Sequence, residues 1–276
     1  MGTLSGMGVP SLADLSTELE VIRAKEHPAY WCRRGDRHWF HGAYRKALAC
    51  YRHALRLDPN FAPAWNDLGN AYYSLHRDSE AVEAYRHALR IDPDAGHPWT
   101  GLGNVYLRRG QESEALACYR RDVENHPNHG YAWYDLGNVY RRRRDYGEAI
   151  ACYRRAARIE PRFELVWNNL GITYCRLGRY PEAIASLREA IRQGPASAAA
   201  WNNLGIAYDD SKRYSEAIAC FRKAVRLSPG FIQAWNSLAW TYRVSGKEED
   251  AQAAVSKVTE LDPRIGAQLR KELEEM

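Results

Sequence analysis

Tryptophan recurs at positions 31, 65, 99, 133, 167, 201 and 235, each 34 residues after the one before. A fixed period of this length is the mark of a chain that stacks one supersecondary unit on the next, not of a chain that closes a single core. Other residues keep the same phase. A proline stands 28 residues after every tryptophan, from Pro59 to Pro263, and an alanine 16 after each, from Ala47 to Ala251. Leucine three on and tyrosine seven on occur in six of the seven units, as at Leu68 and Tyr72. Glycine four on also occurs in six, with Ala239 in the seventh.

Each unit reads as two helices. The first places Trp, Leu, Gly and Tyr at i, i+3, i+4 and i+7, one face of a 3.6-residue helix, and Ala81, Val82, Tyr85, Ala88 and Leu89 repeat that spacing in the second. Short turns such as "LRRGQ" and "CRLGRY" join the pair. The unit closes on "LDP", "IDP", "IEP" or "LSP", where proline ends the helix and disfavours helical geometry in the residue before it. Small residues such as Gly69 and Ala81 let the two backbones approach while Trp and Tyr fill the remaining space. The fold class is all-α, with no strand expected.

The pattern Trp-x-x-Leu-Gly-x-x-Tyr, then Ala, an aromatic residue four later and Pro, resembles the tetratricopeptide repeat family. It runs in register over 28–265 as seven units (28–61, 62–95, 96–129, 130–163, 164–197, 198–231 and 232–265), 238 of the 276 residues. The resemblance implies an α-solenoid that winds as a right-handed superhelix, with an inner groove lined by the first helices of the units. Arrays of this kind draw stability from neighbour-to-neighbour interfaces and need caps at both ends.

The flanks fit that need. Residues 1–10 are expected to be disordered. Residues 11–27 place Leu12, Leu15, Leu19 and Ile22 on one stripe after Ser11 as N-cap, which reads as a capping helix or as a dimerisation or partner-docking helix. At the other end Ile265, Leu269 and Leu273 lie four apart, so 266–276 finish a solvating helix. The first unit is irregular, with Arg34 in the leucine place and His38 in the tyrosine place. It reads as a worn terminal repeat, although its aromatic group of Tyr30, Trp31, Trp39 and Phe40 could instead cover a partner. Self-association through the terminal repeats or the N-terminal helix is open.

The period removes most of the chemistry that the composition invites. Cys50, Cys118, Cys152 and Cys220 each fall 19 residues after their tryptophan, where Ala84, Ser186 and Ala254 stand in other units, so the slot asks for a small packed side chain. Cys175 falls on the groove face. The nine histidines give no zinc spacing, the nearest candidate being Cys32 with His38 and His41. "GLGNVYLRRG" does not follow a strand, so it is not a phosphate loop. No nucleophile, base and orienter come together, and neither enzyme activity, metal nor cofactor is expected. No apolar run nears the roughly 18 residues of a membrane span, and the N-terminus lacks a basic start and an apolar stretch, so the expected location is cytoplasmic.

Binding residues are sought where polar side chains persist without a packing reason. One residue after the tryptophans come Asn66, Tyr134, Asn168, Asn202 and Asn236, and five after come Asn70, Asn104 and Asn138. Both positions lie on a face rotated roughly 100° from the core stripe. Asparagine offers donor and acceptor, so a row of them can hold the backbone of an extended peptide. The groove pattern is similar to the solenoid of O-linked N-acetylglucosamine transferases, which carry Asn directly before the Leu, as at Asn169 and Asn203; their catalytic domain is absent. The carboxylate clamp of heat-shock co-chaperones is not matched, because its lysines are missing.

Charge gives the last clue. Arg108, Arg142 and Arg176 each stand nine residues after a tryptophan and are expected to stack as a column beside Arg141. Residues 108–179 hold 14 Arg, no Lys and nine acids, so 14 − 9 = +5, the whole excess of the chain. Arg143 and Arg144 read as helix-end cations. Tyr73 and Tyr134 add aromatic surface. These residues predict a non-catalytic scaffold that binds an extended acidic peptide in the groove. A helical-repeat protein that binds nucleic acid through the arginine-rich middle is the alternative, opposed by the near-neutral remainder. Exchanging Arg108, Arg142 and Arg176 for Glu is expected to leave melting nearly unchanged.

Overall fold

A computed structural model describes residues 26–275. Among these residues there are fifteen helices and no strand. They are α1 (Pro28–Phe40), α2 (Tyr44–Leu57), α3 (Ala62–Ser74), α4 (Asp78–Ile91), α5 (Gly96–Arg108), α6 (Glu112–Asn125), α7 (Gly130–Arg142), α8 (Tyr146–Ile159), α9 (Glu164–Arg176), α10 (Tyr180–Gln193), α11 (Ala198–Asp210), α12 (Tyr214–Leu227), α13 (Ile232–Val244), α14 (Glu248–Leu261) and α15 (Pro263–Glu274). Seven helical hairpins are followed by one further helix, the architecture of an α-solenoid. They divide into two compact units, one ending at Pro127 with α1–α6 and one from Asn128 with α7–α15. The expectations for 1–10 and for most of 11–27 lie outside the described residues.

Within each unit every second helix packs against the first helix of its own hairpin and of the next one. Consecutive first helices also touch, α1 with α3 and α3 with α5 in one unit, α9 with α11 and α11 with α13 in the other. Each array therefore curves toward its first helices, which line the inner face.

One hydrogen bond, repeated along the chain, explains why tryptophan and proline hold the same phase. The indole Nε1 of Trp65, Trp99, Trp167, Trp201 and Trp235 donates to the carbonyl of the proline six residues earlier, over 2.8–3.1 Å. The proline ends one hairpin, and its free carbonyl fixes where the next begins. The tryptophan rings lie half-buried over the joint, with their polar edge satisfied. The aromatic residue 20 after the tryptophan fills the hairpin core, as Tyr85, Tyr119 and Phe221 do at 1 % exposure or less. It needs the glycine opposite: a Cβ built on Gly205 would sit 2.5 Å from the Phe221 ring. Where Ala239 replaces that glycine, the facing residue shrinks to Val255.

The turn inside each hairpin requires one left-handed residue, 11 after the tryptophan. Gly42, Gly110, Gly178 and Gly246 supply it, and so do His76, Arg144 and Lys212 at φ of 57–66°. Arg144 is thus a turn residue. At the C-terminal end the Asp262 carboxylate accepts from the Arg264 and Ile265 amides and starts α15, which buries Leu269 and Leu273 and leaves Ile265 exposed. The irregular first repeat also forms a full hairpin, with Cys32 and Gly35 buried, Trp39 Nε1 donating to Ser74 Oγ and Phe40 81 % exposed. Among the described residues no helix is long and apolar enough to cross a membrane.

Candidate inner-face binding site

The inner face of the first unit carries Asn66, Asn70, Tyr73, Asn104 and Arg108. Asn70 and Asn104 are held through their oxygens: each Oδ1 accepts from the hydroxyl of the core tyrosine of its own hairpin, Tyr85 and Tyr119, at 2.7 Å. Asn138 repeats this in the second unit, accepting from Tyr153 at 2.7 Å and from Asn169 Nδ2 at 2.9 Å. These asparagines therefore have a structural task that the sequence reading did not foresee. That leaves their Nδ2 donors for another partner, and at Asn70 and Asn104 one lone pair of the Oδ1 as well.

A second set of bonds runs diagonally between neighbouring repeats of the second unit. Asn203 Nδ2 donates to Asn168 Oδ1 at 2.9 Å, and Asn169 Nδ2 donates to the Tyr134 hydroxyl at 3.2 Å. The residue one after a tryptophan accepts from the residue two after the next. Where that donor is Gly101 or Ser237, or where no repeat follows, the acceptor has no partner: the Oδ1 atoms of Asn66, Asn202 and Asn236 are buried and unbonded. Asn202 is 6 % exposed, so its amide belongs to the repeat joint.

The arginines separate. Arg108 Nη1 donates to the Tyr73 carbonyl at 2.9 Å, its guanidinium stacks 3.7 Å over the Tyr73 ring, and it makes a bidentate ion pair with Asp78 of the preceding hairpin. The chain itself supplies the anion. At Arg108 the structure argues against the expectation that exchanging Arg108, Arg142 and Arg176 for Glu leaves melting nearly unchanged: Arg108→Glu would set Glu against Asp78 and remove a stacked cation whose side chain is 25 % exposed. Urea unfolding of Arg108→Glu should show a loss of roughly 1–3 kcal/mol. Arg141 Nε donates to the Tyr153 hydroxyl at 3.3 Å, while Arg142 and Arg176 end α7 and α9 in exposed positions. Arg176 acts on Asp210, one repeat further on, although burial raises that carboxyl more than Arg176 lowers it.

Tyr131, Leu165 and Val244 of this face escaped the sequence reading, and Ile206 stood in it only as the residue five after Trp201, in the place of the asparagines. Tyr131, Leu165, Ile206 and Val244 are 37–54 % exposed, large apolar side chains at positions that project with the asparagines and arginines. Tyr131 and Tyr134 flank Phe163 at ring distances of 4.8 and 4.9 Å. They vary from repeat to repeat, so the consensus hides them; apolar residues on the non-core face of a first helix are the signal. Asp67, beside Asp36 at the start of the first unit, has its carboxyl pushed up to about 7 by burial and then by the Asp36 charge, against a hydrogen bond from Asn66. The Cys175 thiol rises to about 11 through burial and Asp210, so it is protonated at neutral pH and no ready nucleophile. A third signal was periodic and missed: arginine stands 21 residues after six tryptophans, from Arg52 to Arg222.

Comparison with known proteins follows the same lines. Residues 97–276 match the family described as cilia and flagella-associated protein 70 C-terminal domain, and residues 32–96 match the family described as tetratricopeptide repeat. No curated protein matches the chain by sequence. Among solved structures, YrrB, described as a TPR protein with an unusual peptide-binding site, is 22 % identical at a TM-score of 0.58, covering 67 % of this chain and 95 % of its own. PilF of Pseudomonas aeruginosa is 17 % identical at 0.67, covering 78 % and 96 %. MamA of Desulfovibrio magneticus RS-1 is 24 % identical at 0.58, covering 61 % and 96 %. These likenesses concern the fold. With its 34-residue period, its helical hairpins and a family match over more than half its length, the chain belongs to the tetratricopeptide repeat family.

Proposed function

We propose that this protein is a non-catalytic interaction scaffold whose inner face, in the second unit, binds an extended and acidic peptide segment. The observation that carries the reading is the exposed apolar side chains of Tyr131, Leu165 and Ile206 on first helices that also carry asparagine amides and the exposed Arg142 and Arg176 guanidiniums. Apolar side chains on a soluble surface with a polar rim mark a contact site. Extended chain rises about 3.3 Å per residue. Touching first helices lie about 8–10 Å apart, so each repeat meets roughly every third residue of a ligand. Apolar residues would rest on these apolar side chains, backbone carbonyls would take Asn Nδ2 donors, and acidic side chains would meet the arginines, which suit carboxylates by their forked geometry. That a TPR protein of the same fold is described as having a peptide-binding site agrees with this reading.

The acidic preference has its own test. Peptides selected by display against the full chain should be rich in Asp and Glu. Arg142→Glu with Arg176→Glu should weaken them at least tenfold at low salt, and less at high salt as screening shortens the reach of these charges. The test applies to the selected peptides that Tyr131→Ser/Leu165→Ser/Ile206→Ser also weakens: if these are neutral, or indifferent to the double exchange, the acidic preference is contradicted.

A further inference from the structure

The arginines 21 residues after six of the seven tryptophans lie on the second helices, on the opposite side of the array from the proposed peptide face. In the second unit they are Arg154, Arg188 and Arg222, on α8, α10 and α12, and all three are exposed. Arg188 Nη2 donates to the Tyr208 hydroxyl at 2.7 Å, and Arg154 lies 5.9 Å from the Tyr174 ring centroid. A second arginine stacks closer on each of these tyrosines, Arg179 at 4.8 Å and Arg213 at 4.6 Å. That second arginine is neutralised, by Glu182 and Glu216 respectively. Each tyrosine thus sits between a paired arginine and one that has no carboxylate within 4 Å. The paired set explains itself as local structure. The unpaired set puts three like charges on successive second helices with no ion pair within 4 Å, and Arg154 acts at longer range on Glu182, which Arg179 already pairs.

Beneath these arginines the surface is recessed and apolar. Between α8, α9 and α10 lies an open cleft of about 540 Å³, with Trp167, Leu170 and Ala185 in its walls and Arg154, Arg158 and the Arg179-paired Glu182 at its rim. Two repeats on, a cleft of about 560 Å³ has Trp235, Leu238 and Ala253 in its walls and Arg222, Arg226 and Lys257 at its rim against one acid, Asp250. A cleft with an apolar wall and a guanidinium rim suits an apolar side chain flanked by carboxylates. A nucleic-acid strand would want exposed aromatic faces to stack on. Here the tryptophans are half-buried, with their Nε1 groups tied to Pro161 and Pro229.

We infer that this outer face of the second unit is a separate docking surface for a protein segment that alternates acidic and apolar residues. It is independent of the inner-face reading and can stand or fall without it. The test uses the full chain and fluorescein-labelled peptides of repeated Glu-Glu-Leu, with Glu-Glu-Ser repeats and a 15-nucleotide oligo(dT) as controls. Two outer variants are made, Arg154→Glu/Arg188→Glu/Arg222→Glu and the corresponding triple change to Gln, each checked for unchanged helicity and melting. In the Arg142→Glu/Arg176→Glu background, which disables the inner face, the Glu-Glu-Leu peptide should still bind, and at least tenfold more weakly once either outer triple is added. Replacing Leu by Ser in the peptide should cost at least fivefold, and oligo(dT) should bind more weakly than the peptide. Unchanged affinity on adding the outer triples, no binding left in the Arg142→Glu/Arg176→Glu background, equal binding of the Ser peptide, or tighter binding of oligo(dT) would each overturn the proposal.

Discussion

Exchanging Asp67 for Asn should stabilise the first unit at pH 8 by about 2–3 kcal/mol and remove most of its pH dependence between pH 5 and 8. The carboxyl is raised from 3.8 to about 7, by burial first and by Asp36 second. At 1.36 kcal/mol per pH unit that corresponds to roughly 4 kcal/mol, and partial solvent contact lowers the expectation. The sign follows from proton binding. Between pH 4 and 7 the folded chain holds a proton that the unfolded chain releases, so stability falls as pH rises through this window and stays low above it. Asparagine keeps the shape and can still accept from Asn66, and Asn169 and Asn203 already occupy the same place in later repeats. Urea unfolding followed by circular dichroism at pH 5 and pH 8 checks this. Parallel losses in the wild-type chain and Asp67→Asn would show that Asp67 is not the group responsible.

The second large effect lies in the hairpin core of the sixth repeat. Gly205→Ala alone should cost about 1–3 kcal/mol, because its Cβ would press to 2.5 Å from a Phe221 ring that is 1 % exposed. Phe221→Val alone should cost about 2–4 kcal/mol by opening a cavity. Together they recreate the Ala239 and Val255 pair of the seventh repeat, so the double variant should be more stable than the two losses predict, by about 1 kcal/mol or more. Simple additivity in a urea double-mutant cycle would remove glycine–aromatic complementarity as the reason for the shared phase.

The parts of the fold that repeat were readable, because each of their residues is constrained by the same local geometry seven times. Helix type, hairpin turn, the packed cysteine slot and the Trp–Pro phase all belong to this class. What the sequence did not show are contacts that reach across repeats. Asp78 meets Arg108 thirty residues away, and nothing in either local pattern marks the pair. The diagonal from Asn203 to Asn168 spans 35 residues, so its logic appears only when the first helices are laid side by side. Asn70, Asn104 and Asn138 were noticed as polar residues without a packing reason, yet each has one in a tyrosine hydroxyl 15 residues on. The apolar side chains were missed as a set for the opposite reason: Tyr131, Leu165 and Ile206 differ from one another, and a consensus averages them away.

The inner face of the second unit is the central claim, and one measurement addresses it directly. Peptides selected by display against the full chain are titrated against Tyr131→Ser/Leu165→Ser/Ile206→Ser and against the outer triple change of Arg154, Arg188 and Arg222 to Gln. All of these side chains are exposed to a third or more or lie on exposed residues, so melting should move little. A class of selected peptides should lose at least tenfold in affinity with the inner triple and keep its affinity for the outer one. If no selected peptide is weakened by the inner triple while that variant melts like the wild-type chain, the inner face is not the binding face.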